Sequence, residues 1–369
     1  MSTIEVADVQ LDVYFAEFIP PEIFVTNKAR RVIEIALELT VNFIISLLGI
    51  FTNIIVISVF VKQGFKDSVG ISMTAISMWD LIKCLGGFMQ RCYGPISLFD
   101  PAAAFSWSNI SVVIFNYLGS FSTYVTSVLA AYVAVERCLC VTMPLKVKWL
   151  LTPKLALIIC TVISVSVFGY FAVIFGIYDV VWVYNSNFNT RVAIYKYNRF
   201  SQNNTNLFYY YNMSGALWPL ASLVVIVIST VIISYKLKEA SKFRLTHKEV
   251  AAGAVNNASI EKDNKGLNTR PSKLLSKRDQ QVVKMLLVII VIFIVNLVPR
   301  VAHYLAKYFI PEFYYLRQYH NLITVMAYVV FTFDFLNGSV NLFVFLAMSS
   351  SFRSTYIEMF PFCFSVKPQ

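Results

Sequence analysis

Hydrophobic positions along the chain gather into long runs separated by polar stretches. A spanning helix needs about 20 apolar residues, at about 1.5 Å each, to cross a hydrocarbon core of about 30 Å. Seven segments meet that length, near Ile35 to Val61, Gly70 to Tyr93, Trp107 to Val141, Leu155 to Tyr178, Phe208 to Tyr235, Val282 to Ala306 and Asn321 to Met348. The pattern predicts an all-α membrane protein, a seven-transmembrane helix bundle over residues 35–348, with an N-terminal segment 1–34 and a tail 349–369. An odd number of spans places the two termini on opposite sides. One long hydrophilic insertion, Lys236 to Lys284, is rich in Lys, Ser and Asn. It is expected to be a mobile loop on the cytoplasmic side, 236–281 between the helices. In Phe352 to Phe362, the residues Phe352, Tyr356, Met359 and Phe360 are spaced for a short amphipathic eighth helix lying on the membrane, with Cys363 after it as a lipidation site. No internal repeat of the kind found in many transporters is visible.

Composition agrees, since 14% charged and 57% hydrophobic residues fall far from the quarter or so of charged residues in soluble chains. The net charge of +11 would point to nucleic acid in a soluble protein. Its placement points elsewhere. Lys62, Lys66, Lys146, Lys148, Lys154 and the stretch from Lys236 to Lys284 fall on one side of the bilayer, which the positive-inside rule makes cytoplasmic. Residues Met1 to Asn27 carry Glu5, Asp8, Asp12, Glu17 and Glu22 and no basic residue, so the N-terminus is expected outside and the first span is expected to act as an uncleaved signal anchor. Asn203 is the most accessible N-glycosylation acceptor, because Asn109 and Asn212 lie against membrane ends. The six cysteines show neither a disulfide framework nor metal-ligand spacing.

Several polar residues stand inside the spans. A carboxylate at mid-bilayer costs about 2.5 to 3.5 kcal/mol or more unless it is paired or hydrated, which singles out Asp80 in span two and Asp334 in span seven. Lys83 is one helical turn from Asp80 and would neutralise either acid. Arg300 directly follows Pro299, whose ring removes a backbone hydrogen bond and bends span six. Arg91, near the outer end of span two, is expected to snorkel toward the interface.

At the inner end of span three the chain reads Ala134-Val135-Glu136-Arg137-Cys138, with Pro144-Leu145-Lys146 after it. This resembles the acid-Arg-aromatic motif of rhodopsin-like (class A) G-protein-coupled receptors. The resemblance extends to Gly49 and Asn53 in span one, Ala75 and Asp80 in span two, Phe293, Asn296 and Pro299 in span six, and Asn337 to Phe345 in span seven. Within that family the wording looks most similar to molluscan chemosensory receptors and FMRFamide-type peptide receptors. The resemblance implies a plasma-membrane receptor that converts extracellular ligand binding into heterotrimeric G-protein activation, with arrestin and receptor kinase as further partners, and no enzyme. It gives coupling and activation roles to Glu136, Arg137, Asp279, Phe293, Pro299, Asn341 and Phe345, with Asp279 reaching Arg137 from span six. It also implies a polar core of Asn53, Asp80, Thr126, Asn337 and Asn341 around an allosteric sodium ion, a site that survives if Lys83 pairs with Asp334 and is usurped if Lys83 reaches Asp80.

The chain departs from the family in lacking the usual outer disulfide, because no cysteine occurs from Asp179 to Phe208, so that loop must be held by pairing within itself. Leu297, Leu342, Phe345 and Val227 also replace the customary tryptophan, proline and two tyrosines. The switch would then rely on packing, or be weak or biased. Gly119 offers no amine anchor and span seven has no retinal lysine. Lys83, Gln90, Arg91, Thr123, Tyr124, Arg300, Tyr304 and Asp334 are expected to form an outer cavity for an anionic or zwitterionic small molecule, amino acid or short peptide. A transporter, or a decoy receptor that binds without signalling, is the competing reading. In the cytoplasmic loop Ser272 and Ser276 have kinase-site surroundings, and no nucleic-acid partner is expected.

Overall fold

Seven helices long and apolar enough to cross a membrane make up most of the computed structural model, which describes residues 20–65, 67–143, 151–204, 206–257 and 277–361. They are α1 (Asn27–Gln63), α2 (Ser68–Ile96), α3 (Pro101–Thr142), α4 (Pro153–Gly176), α5 (Asn206–Asn257), α6 (Lys277–Phe309) and α7 (His320–Met348). A shorter helix, α8 (Ser350–Met359), follows after Ser349, whose hydroxyl accepts from the Phe352 amide as its N-cap. The starts of α2, α3 and α4 are fixed in the same way by Asp67, Asp100 and Thr152, with Pro101 and Pro153 at the first helical position, where a missing N–H costs nothing.

The side-chain distribution is that of a membrane bundle. Lipid-facing positions such as Ile44, Leu48, Phe51, Val162, Val165 and Val231 are exposed, while Asn42, Ser46, Asn53, Asp80 and Thr126 are buried. Helix α3 runs through the middle, against α2, α4, α5 and α6, and α1 closes the ring on α2 and α7. Interhelical hydrogen bonds reinforce this packing. Asn53 Nδ2 donates to the Gly338 carbonyl at 2.7 Å, tying α1 to α7, and Trp79 Nε1 donates to Ser164 Oγ at 2.9 Å, tying α2 to α4. The Phe60 ring meets Phe345 at 5.3 Å and Phe352 at 5.4 Å, which packs α8 under α1 and α7.

Two elements differ from the hydropathy reading. Helix α5 is 52 residues long and continues well past the membrane into the segment expected to be a loop. Its extension, Glu239-Ala240-Ser241-Lys242 and onward through Ala251, Ala252 and Ala254, is rich in strong helix formers, and propensity carries the helix where hydropathy ends. The Tyr- and Asn-rich segment after α4 does pair within itself. Strands β1 (Tyr178–Asn185) and β2 (Thr190–Tyr197) form an antiparallel hairpin with Tyr178 opposite Tyr197 and Asn185 opposite Thr190. The hairpin is pinned to α3 by the Tyr117 and Tyr178 hydroxyls, 2.7 Å apart, and by Ser106 Oγ accepting from the Ala193 amide at 3.1 Å. Burial raises the phenols of Tyr178, Tyr195 and Tyr197 above the ordinary tyrosine range, so they stay protonated donors at neutral pH. Cys84, Cys92, Cys138 and Cys160 are free thiols.

Candidate functional site

Among the described residues the interior holds four ion pairs, and each brings a cation and a carboxylate out of solvent together. At the end of the bundle opposite the hairpin, Glu136 and Arg137 of α3 pair with each other. Glu136 is further held by α2, accepting from Ser68 and, at 3.4 Å, from Ser72 Oγ. The Arg137 Nε has no partner among the described residues. Asp279 belongs to α6, but its side chain lies outside the described residues, as do Lys66, Lys146, Lys148, Ser272, Ser276 and Cys363.

Midway along the bundle, Lys83 reaches Asp80, with Nζ 2.6 Å from Oδ1, and both side chains are fully buried. Asn341 Nδ2 donates to the other Asp80 oxygen at 3.2 Å. Gly338 makes room for this, since a Cβ there would stand 3.0 Å from Lys83 Cε. Of the two arrangements left open by the sequence, the structure takes the one in which Lys83 reaches Asp80 in place of a sodium ion. The lysine ammonium occupies the carboxylate that would hold the ion, Thr126 Oγ1 is turned to the Thr123 carbonyl, and Asn53 spends its amide on backbone carbonyls. The cation is tethered to the chain.

One turn farther toward the hairpin, Arg300 of α6 pairs with Asp334 of α7, with Nε 3.2 Å from Oδ1. Arg300 follows Pro299, which cannot bond the Val295 carbonyl, so the pair sits at the weak point of α6. The guanidinium lies 5.5 Å from the Tyr124 ring centre, and Tyr124 donates to the Tyr304 hydroxyl at 2.6 Å. Phe293 and Leu297, on the same helix, are buried in the core.

The fourth pair was not read from the sequence. Arg91 does not snorkel: it is fully buried, its Nη2 2.7 Å from Glu38 Oε1 of α1, with Nη1 donating to the Gly87 carbonyl at 2.8 Å. Its guanidinium also lies 4.6 Å from the Phe335 ring centre. Glu38 sits in a π-helical stretch, Glu34–Val41, whose wider turn changes the facing of the residues that follow it. Asn42 Nδ2 donates to Glu38 Oε2 at 2.8 Å, and Thr332 Oγ1 donates to Asn42 Oδ1 at 2.7 Å, linking α2, α1 and α7. A lone acid four residues before an Asn inside a hydrophobic span is the signal that would have found it.

The expected anion pocket therefore closes on itself. Lys83, Arg91 and Arg300 each hold an internal carboxylate, and Asp334 is spent on Arg300 rather than open to an amine. Lys83, Gln90, Thr123 and Asp334 do line one cavity, but its volume is about 10 Å³, room for about one water. Asn203 is exposed near the hairpin, whereas the Ser111 and Ser214 of the other two acceptor triplets are buried.

A polar interior stitched across seven helices, with an acid-Arg pair closing one end and a hairpin the other, is the arrangement of a seven-helix receptor. Curated proteins provide no match to the chain. The family model described as Serpentine type 7TM GPCR chemoreceptor Srw matches residues 40–363, from within α1 to beyond α8. The chain belongs to the Srw family of serpentine seven-transmembrane chemoreceptors.

Proposed function

We propose that the protein is a plasma-membrane chemosensory receptor that converts binding of an extracellular small molecule or short peptide into activation of a heterotrimeric G protein. The family match over residues 40–363 carries this reading. The positive charge of the α1–α2, α3–α4 and α5–α6 connections favours an outer hairpin and N-terminus and a cytoplasmic α8. The tail helix then lies along the inner leaflet, with Cys363 as its lipid anchor, and the basic α5–α6 connection offers Ser272 and Ser276 to a receptor kinase and arrestin. The motifs of the chain resemble those of rhodopsin-like, molluscan chemosensory and FMRFamide-type receptors, which favours the same mode of signalling.

Activation needs a ligand that favours one of two helix arrangements over the other. Arg300–Asp334 is the link that sets the α6–α7 spacing beside the Pro299 bend. Weakening it would let the Arg137 end of α6 move away from α3 and open a cleft for the Gα terminal helix. Asn341 and Phe345 would carry the movement of α7 to that cleft, Asn341 through Asp80 and Phe345 through Phe60 and Phe352.

The test is Gα dissociation in cells screened with small molecules and short peptides, comparing the chain with Arg137→Ala at matched surface level. A response that Arg137→Ala removes supports the proposal. Silence of a well-expressed receptor with every Gα class would refute it and favour a decoy, the reading suggested by Leu342 and Phe345 in place of the customary proline and tyrosine.

A further inference from the structure

Lys307 is an interior-facing cation of a different kind from the four already described. It lies near the hairpin end of α6, half-buried, and among the described residues no carboxylate pairs with it. Aromatic faces surround it instead: its ammonium stands 5.1 Å from the Tyr304 ring centre, 5.2 Å from Tyr315 and 5.8 Å from Tyr314. Such faces attract a cation through the ring quadrupole, yet a ring face offers no lone pair to the three N–H donors of the ammonium. One turn before it on the same face is His303, buried, with Nδ1 unpartnered and its ring edge-on to Phe313 at 6.0 Å. The next residue down that face, Arg300, is already satisfied by Asp334.

We infer that Lys307 and His303, walled by Tyr304, Tyr314, Tyr315 and Phe313, form the seat of an organic carboxylate ligand. The inference rests on the receptor reading for its purpose, but the binding chemistry stands on these side chains. No carboxylate faces Lys307 or His303 among the described residues, so nothing there would hold an amine. The walls are aromatic, which favours a carboxylate with an apolar or aromatic body over a small, strongly hydrated anion. Lys307 lies seven residues from Arg300, about 10 Å along the helix axis, so an acid bound there acts on the same stretch of α6 that holds the link to α7.

The experiment uses the purified full-length chain in nanodiscs of zwitterionic lipid, titrated with acetate, butyrate, hexanoate, benzoate and phenylacetate, each beside its primary amide. Saturation-transfer NMR and thermal shift report binding. At least one of the larger acids is expected to bind while its amide does not, with affinity falling roughly tenfold or more in Lys307→Gln, as when one partner of a charge pair is lost, and retained in Lys307→Arg. The charge-preserving variant also guards against a folding defect, because it should bind even if Lys307→Gln is poorly folded. Absence of binding by every acid, equal binding of acid and amide, or binding unchanged in Lys307→Gln would overturn the assignment. Carboxylate binding without any Gα response would refute the receptor reading and spare the site. A Gα response to a carboxylate that is indifferent to Lys307→Gln would do the reverse.

Discussion

Replacing Glu38 by Gln removes one charge from a pair in which both side chains are almost completely buried and 2.7 Å apart. Breaking a buried pair by deleting one partner costs about 3 to 5 kcal/mol, because the other charge is left uncompensated. Arg91 would keep the Gly87 carbonyl and the Phe335 ring, 4.6 Å away, and a desolvated cation–π contact is worth up to about 2 kcal/mol. The loss should therefore fall at the lower end, about 3 kcal/mol. At roughly 2 °C per kcal/mol for a chain of this size, the apparent melting temperature should fall by about 6 °C. The assay is a thermal-shift scan of wild type, Glu38→Gln, Arg91→Met and the double variant, purified identically and scanned at one rate. Since neither partner is then left charged and alone, the double variant should be more stable than Arg91→Met, which strands the carboxylate. The reasoning fails if Glu38→Gln melts within about 1 °C of wild type, or if the two single losses simply add, because contacting residues of one network should couple.

Three further outcomes follow from other parts of the interior. With the Lys83 ammonium on Asp80, exchanging sodium for N-methylglucamine should leave the wild-type melting temperature unchanged, while Lys83→Gln, which frees the carboxylate, should acquire a saturable dependence on sodium; a sodium-dependent wild type would contradict the tethered pair. Gly338→Ala places a methyl group 3.0 Å from Lys83 Cε, and the overpacking should cost about 1 to 3 kcal/mol, read as a lower melting temperature that Lys83→Ala in the same chain partly restores. Asn203→Gln should remove one glycan's mass from the receptor made in a secretory cell line, whereas Asn109→Gln and Asn212→Gln should not alter migration on a denaturing gel.

The spans were legible because the bilayer imposes one length and one chemistry on every crossing segment, and each of the seven runs falls on one of α1 to α7. The partners of the charges were not. Lys83 lies one turn from Asp80 and could be paired by local spacing, but choosing Asp80 over Asp334 depended on where α7 lies and on Gly338 leaving space. Arg91 read as a snorkelling residue because its partner is on another helix, in a π-helical stretch that hydropathy cannot show. The 52-residue α5 escaped notice for a different reason. Hydropathy stops at the membrane surface, while helix propensity in the Lys-, Glu- and Ala-rich extension does not. Among the motif residues, Glu136 and Arg137 were identified from adjacent letters and do pair, whereas the hydroxyls of Ser68 and Ser72 that anchor them had no pattern of their own.

The hairpin over one end of the bundle is fastened by a backbone ladder, a tyrosine pair and a serine, with no sulfur bond. Its integrity is thus independent of thiol chemistry. Reductant that would unfasten a cystine-stapled lid should leave this one in place, and the protein should reach its native outer shape in cell-free synthesis or in a bacterial membrane without an oxidising compartment or an isomerase.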